Sequence, residues 1–175
     1  MKQELSQNGF EIIKHYEGLH DGDLTQIGLQ PKMCPANIWT IGWGHAIYYK
    51  GRFLKGLSDK ELAYRLYPNL TLEEADKWLA EDVEERVDSV NNLQLELTQG
   101  QFDALVDFVY NEGMGNLSTS ILLQRIRLKA NAAMVEEAFS RFKFGGGKVL
   151  PGLILRRRTE AELFNNGNLK FYSSI

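Results

Sequence analysis

The stretch Cys34-Pro35-Ala36-Asn37-Ile38-Trp39-Thr40-Ile41-Gly42-Trp43-Gly44-His45 decides the fold. Its centre, Ile38 to Ile41, is a short run of β-branched and aromatic side chains bounded by turn-forming residues, which predicts a strand. Gly42 and Gly44 allow a tight turn and a close approach of backbone to a ligand. Thr40 offers a hydroxyl that can hold a water or a sugar group. Trp39 and Trp43 are expected as core anchors of a small sheet, with stacking on sugar rings as the alternative. His45 is expected to be structural, its imidazole bonding buried backbone.

Upstream, a helix is predicted over Asn8 to Tyr16, with Asn8 and Glu11 at capping-box spacing. Phe10, Ile13 and Glu17 fall on one face of it. Gly18 ends it, so Glu17 stands at the helix terminus beside an apolar stripe. Partial desolvation there favours the protonated carboxyl, the form that can act as a general acid. A plain surface Glu is the alternative reading. From Leu19 to Gly51 the glycines and prolines punctuate short runs, and Ile38 to Ile41 and Ala46 to Tyr49 are read as strands of a small antiparallel sheet. Leu24 to Lys32 reads as a loop or irregular hairpin.

Downstream the pattern is helical. Ser58 with Glu61 predicts a capped helix over Lys60 to Leu66, and Pro68 breaks the chain. Thr71 with Glu74 opens a long helix to about Val90, and Thr98 with Gln101 opens another, closed by Gly113. Helices are also expected over Ser118–Lys129, Ala132–Phe142 and Leu153–Phe164, with Gly145-Gly146-Gly147 and Pro151 in a loop. The fold class is α+β: a mainly helical lobe, a small antiparallel β-lobe, and a cleft between them suited to an extended substrate. The whole chain is expected as one domain, with the β-lobe over about 18–56 and the helical lobe over about 57–175 plus the N-terminal helix.

With 175 residues, the chain is long enough to bury a core without staples. Its one cysteine, Cys34, excludes an intrachain disulfide. No zinc-ligand spacing, phosphate-binding loop or Gly-x-Ser-x-Gly motif occurs, so no cofactor and no metal are expected. The formal net charge is -3, but it is unevenly spread. Asp59 to Glu112 is mostly acidic, whereas Arg141, Lys143, Lys148, Arg156, Arg157, Arg158 and Lys170 make the C-terminal third basic. That end suggests an anionic partner, or simply a solvated basic helix face. Met1 to Leu5 form no apolar stretch, so no cleavable signal is expected, and no apolar run is long enough to span a bilayer.

Three segments carry a resemblance to the phage-type lysozymes, glycoside hydrolase family 24. They are Tyr16-Glu17-Gly18 followed by Cys34 and Trp39-Thr40-Ile41-Gly42-Trp43-Gly44-His45; Leu97 to Leu105 followed by Phe108 to Gly113; and Gly146 to Leu153 followed by Arg156-Arg157-Arg158 and Glu160. They cover nearly the whole chain in family order. The resemblance implies an endolysin that hydrolyses the β-1,4 bond between N-acetylmuramic acid and N-acetylglucosamine of peptidoglycan and lyses a bacterial host. Glu17 is then the general acid, and Cys34 and Thr40 position a water or stabilise the transition state; Asn111 lines the sugar site. Trp43 replaces the family's commoner Tyr.

Sixteen residues separate Glu17 from Cys34, a longer gap than the family shows. The excess lies in His20 to Met33 and brings in Asp21 and Asp23. Either stands beside Cys34 as a candidate second catalytic group, but Cys34 alone keeps the family's spacing to Thr40. The resemblance further implies peptidoglycan glycan strands as partner, a monomer, no nucleic acid, and storage in the host cytoplasm with release to the wall through a holin. Lipopolysaccharide or an anionic membrane surface is a partner open to the basic C-terminal region. The alternatives are a lytic transglycosylase on the same substrate, and a lytic protein that binds membrane or wall through the basic C-terminal helix.

Overall fold

A computed structural model of the chain describes residues 2–174. The elements run α1 (Gln7–Glu17), β1 (Lys32–Met33), β2 (Trp39–Ile41), β3 (His45–Ala46), β4 (Tyr48–Tyr49), β5 (Arg52–Phe53), a 3-10 turn (Leu57–Asp59), α2 (Lys60–Leu66) and α3 (Leu72–Asn91). Then follow α4 (Gln99–Glu112), α5 (Met114–Ser118), α6 (Ile121–Arg127), α7 (Ala132–Ser140), β6 (Phe144–Gly145), β7 (Lys148–Val149) and α8 (Pro151–Asn166). This is the expected α+β fold. The chain forms two compact units, Glu17–Asp82 and a second made of the N-terminal segment to Tyr16 with Val83 onward. Among the described residues, no helix is long and apolar enough to cross a membrane.

The 17–82 unit is built on a three-stranded antiparallel sheet in the order β1-β2-β3. Lys32 pairs with Thr40 and Met33 with Trp39, while Thr40 pairs with Ala46 and Ile41 with His45. The predicted strand Ala46 to Tyr49 is two strands, because Ile47 breaks the run and β4 pairs instead with β5. Ile47 is fully buried, and its N–H donates to the Trp39 carbonyl at 2.8 Å. Leu29, Trp39, Ile41, Ile47, Leu54, Ala63, Leu70 and Ala75 form the core of this unit. Trp39 is therefore an anchor as expected, and its indole N–H donates to the Gly56 carbonyl at 2.7 Å. The long stretch before β1 is a loop tied down at both ends. Gly22 N–H donates to the Gln30 carbonyl at 2.9 Å, and Leu29 bridges Leu70.

Two of the predicted capping boxes form. Thr71 and Glu74 exchange hydrogen bonds of 2.9 and 3.1 Å ahead of α3, and Thr98 and Gln101 do the same ahead of α4. Two do not. The first helix starts at Gln7, one residue ahead of the expected cap at Asn8, and Ser6 instead donates to Asp103 from both N–H and hydroxyl. Before α2 the chain makes a 3-10 turn through Ser58, and no side chain caps the helix. Its neighbour Asp59 is occupied by Arg52 and by the Lys55 N–H, which hold the carboxyl down to about 2.

The second unit packs α4 against α8 and α8 against α7. Phe102, Leu105, Phe108, Phe139 and Leu163 are fully buried there. Phe108 meets Phe139 and Phe142 edge-on, at ring-centroid separations of 5.8 and 4.8 Å. The single helix expected over Ser118–Lys129 is divided, because Ser120 leaves helical geometry and caps α6 by accepting from Leu123 N–H at 3.0 Å. The glycine loop at 145–147 is a hairpin turn joining β6 to β7.

Beneath α8 lies an ionic cluster. Arg156 and Arg157, read as surface cations, are 3% and 1% exposed, so they add nothing to a basic surface. Arg156 grips Asp107 with bonds of 3.0 and 2.7 Å. Arg157 donates to Glu160 at 2.6 Å, to Glu112 at 2.9 Å and to Asn111 at 2.9 Å. Burial works against ionisation of Asp107, but Arg156 outweighs it and holds the carboxyl below its ordinary value. Burial dominates at Glu160 and pushes it well above its ordinary value, and the neighbouring Asp107 adds to the rise. The cluster reaches α1: Arg156 lies over the Tyr16 ring at 5.5 Å, and the Tyr16 hydroxyl bonds Thr159 at 2.7 Å.

Candidate active site

The 17–82 unit gathers Glu17, Thr40 and Cys34. Glu17 is the last residue of α1 and is half-buried. Its carboxylate lies along Gly44: a Cβ placed on Gly44 would be 3.8 Å from Glu17 Oε2. Gly44 has a φ of 89°, a conformation open mainly to glycine, so the bare backbone beside Glu17 is built into the turn. Gly42 solves a second packing problem, since a Cβ there would sit 2.9 Å from the Ala75 side chain.

Thr40 occupies the middle of β2 and is buried, 5% exposed. Its hydroxyl has two protein partners. It donates to the Lys32 carbonyl at 3.0 Å, and it lies 2.5 Å from Nδ1 of His20. His20 is the site residue that sequence reasoning missed. Its backbone N–H donates to the Gly42 carbonyl at 2.6 Å, an isolated bridge that seats it beside the end of β2. Burial pushes the imidazole below its ordinary value and Lys32 adds to this, while the Glu17 charge and backbone carbonyl act the other way. His20 is thus near Glu17 and bonded to Thr40. In the sequence it reads only as the first residue of a long loop, and nothing short of the bridge to Gly42 reveals it.

Cys34 is half-buried just after β1. Its N–H donates to the Ile38 carbonyl at 2.8 Å, which continues the Lys32–Thr40 register by two residues. Alternation along the ribbon puts Cys34 on the side that carries Lys32 and Thr40. The two carboxylates of the long loop are occupied with its turns. Asp21 accepts from the N–H groups of Asp23 and Gln30, both at 3.1 Å. Asp23 accepts from Thr25 N–H at 3.0 Å and from its hydroxyl at 2.6 Å, bonds that hold its carboxyl below the ordinary value.

Trp43 is half-buried against the core, and its indole donates to Asp76 at 2.6 Å. His45 bonds a carboxylate rather than the expected backbone: its Nδ1 is 2.8 Å from Asp82, with the ring 5.0 Å from that of Trp78. Asn111 belongs to the other unit, where it accepts from Arg157.

Known proteins extend this picture. The family model described as Phage lysozyme matches residues 22–160. The endolysin of Bacillus phage PZA is 34% identical over 95% of this chain, and the chain spans only 57% of that relative's length. The endolysin of Acyrthosiphon pisum secondary endosymbiont phage 1 is 31% identical over 93% of this chain and 98% of its own. Among solved structures, the endolysin from Escherichia coli O157:H7 phage FAHEc1 superposes with a TM-score of 0.76 at 28% identity, covering 97% of this chain and 98% of that one. The muramidase domain of SpmX from Asticaccaulis excentricus gives 0.69 at 31% identity, covering 93% and 97%. By this match over most of its length, the chain belongs to the phage lysozyme family.

Proposed function

We propose that this chain is an endolysin that hydrolyses the β-1,4 bond between N-acetylmuramic acid and N-acetylglucosamine in peptidoglycan. The observation that carries the reading is the conjunction of Glu17 and Thr40 around His20 in one compact unit. Relatives named endolysins and a structural neighbour named a muramidase domain support the substrate class.

Glu17 gives its proton to the glycosidic oxygen as the bond to the anomeric carbon breaks. Positive charge develops on the sugar ring, and a water adds to the anomeric carbon. Thr40 holds that water through a lone pair of its hydroxyl, and Cys34, on the same side of the ribbon, supplies a second weak contact. The water's surplus proton leaves to solvent, and solvent reprotonates Glu17. A water held at Thr40 favours hydrolysis over the transglycosylase reaction, which needs none. In this reading the enzyme is a monomer released from the host cytoplasm through a holin. The contact to an anionic wall or lipopolysaccharide rests on Arg141, Lys143, Lys148 and Arg158, because Arg156 and Arg157 are buried.

Mass spectrometry of digested sacculi tests the reaction. Reducing N-acetylmuramic acid ends are expected. Ends in the 1,6-anhydro form, or reducing N-acetylglucosamine ends, overturn the assignment.

A further inference from the structure

The Thr40 hydroxyl has one proton and two lone pairs, and its neighbours decide how they are used. The Lys32 oxygen is a carbonyl and can only accept, so the 3.0 Å contact takes the Thr40 proton. With that proton on the Lys32 carbonyl, the 2.5 Å contact to His20 is a hydrogen bond when Nδ1 carries a hydrogen and donates it to Thr40. One lone pair remains on the hydroxyl. From these contacts we infer that His20 is a positioning residue, which donates from Nδ1 to fix Thr40 as a pure acceptor toward the attacking water.

The consequence for the water is directional. A water bound to that lone pair must point an O–H at Thr40, which turns its own lone pairs away and leaves one free for the anomeric carbon. Without His20 the hydroxyl regains a second open acceptor site, and the water has two orientations where it had one. The inference rests on the proposed hydrolytic role of Thr40. It also gives a purpose to the start of the long loop: the bridge from His20 to Gly42 brings the imidazole to the end of β2.

Three variants and one spectrum test this. On soluble peptidoglycan fragments, His20→Ala is expected to lower kcat by about 10- to 100-fold with KM nearly unchanged, the loss expected of a misplaced reactant. His20→Asn, whose amide nitrogen can stand where Nδ1 stands, is expected to restore most of that rate. His20→Gln, with its amide one carbon further out, is not. In 15N NMR of the wild-type protein, which needs no variant to fold, His20 Nδ1 is expected to carry the hydrogen and Nε2 the lone pair. A wild-type rate for His20→Ala, a His20→Asn variant as slow as His20→Ala, or a spectrum with Nε2 protonated and Nδ1 bare each overturns the inference. Glu17→Gln is measured alongside. If it keeps full activity, the glycosidase reading fails and this inference falls with it; if it is inactive while His20→Ala is not, only the inference fails.

Discussion

Gly44 has no side chain, and the carboxylate of Glu17 lies beside the bare backbone that results. At φ 89° any other residue is strained, so Gly44→Ala is expected to cost about 1–3 kcal/mol of stability, measured by urea unfolding. The second catalytic group is also a question about single residues. Asp21 is spent on two loop N–H groups, and Asp23 on Thr25. Cys34 keeps its place on the Thr40 side of the ribbon. Asp21→Asn and Asp23→Asn are therefore expected to keep the wild-type rate on sacculi. Cys34→Ala is expected to lose about fivefold, the worth of one weak contact. A collapse of activity in Asp21→Asn would move the second role away from Cys34.

Among the elements, α8 shows how charge in a sequence misleads. Arg156-Arg157-Arg158 reads as a basic face, yet two of the three are buried on Asp107, Glu160 and Glu112. Removing one partner strands the other charge, so Asp107→Ala is expected to lose about 3–5 kcal/mol, whereas Thr71→Ala, which removes only a cap, loses about 1 kcal/mol. Denaturant titration of both variants checks the contrast. Local signals of α3 and α4 were legible because a capping box is a relation between residues three apart, and both boxes form. The box at Ser58 does not form, because Asp59 is drawn to Arg52 and to the Lys55 N–H, contacts that helix spacing does not report. The same limit hid His20: its neighbours are Thr40 and Gly42, joined to it by strand pairing across a loop. Glu17, Cys34 and Thr40 could be picked out as candidates because their order and the Cys34-to-Thr40 spacing resemble a family's, despite the longer gap after Glu17, while the partners of Trp43 and His45 in α3 were not legible.

For the whole molecule, the buried carboxyls set how stability depends on pH. Glu160 has a raised value in the fold, so above the ordinary carboxyl range the folded state holds a proton that the unfolded state has lost. Stability therefore falls as pH climbs toward that raised value. Asp107 and Asp59 are depressed, so their contribution is present above the ordinary carboxyl range and is lost as pH drops below it. Glu160→Gln is expected to flatten the decline that begins above the ordinary carboxyl range in urea unfolding curves. Activity makes a separate claim, that bond cleavage depends on one carboxyl at the end of α1. The most direct measurement is the rate at which purified wild-type protein and Glu17→Gln release reducing ends from sacculi, each shown folded by its thermal midpoint. A loss of about 10²–10⁴-fold with an unchanged midpoint is the predicted result; a Glu17→Gln variant that releases reducing ends at the wild-type rate would contradict it.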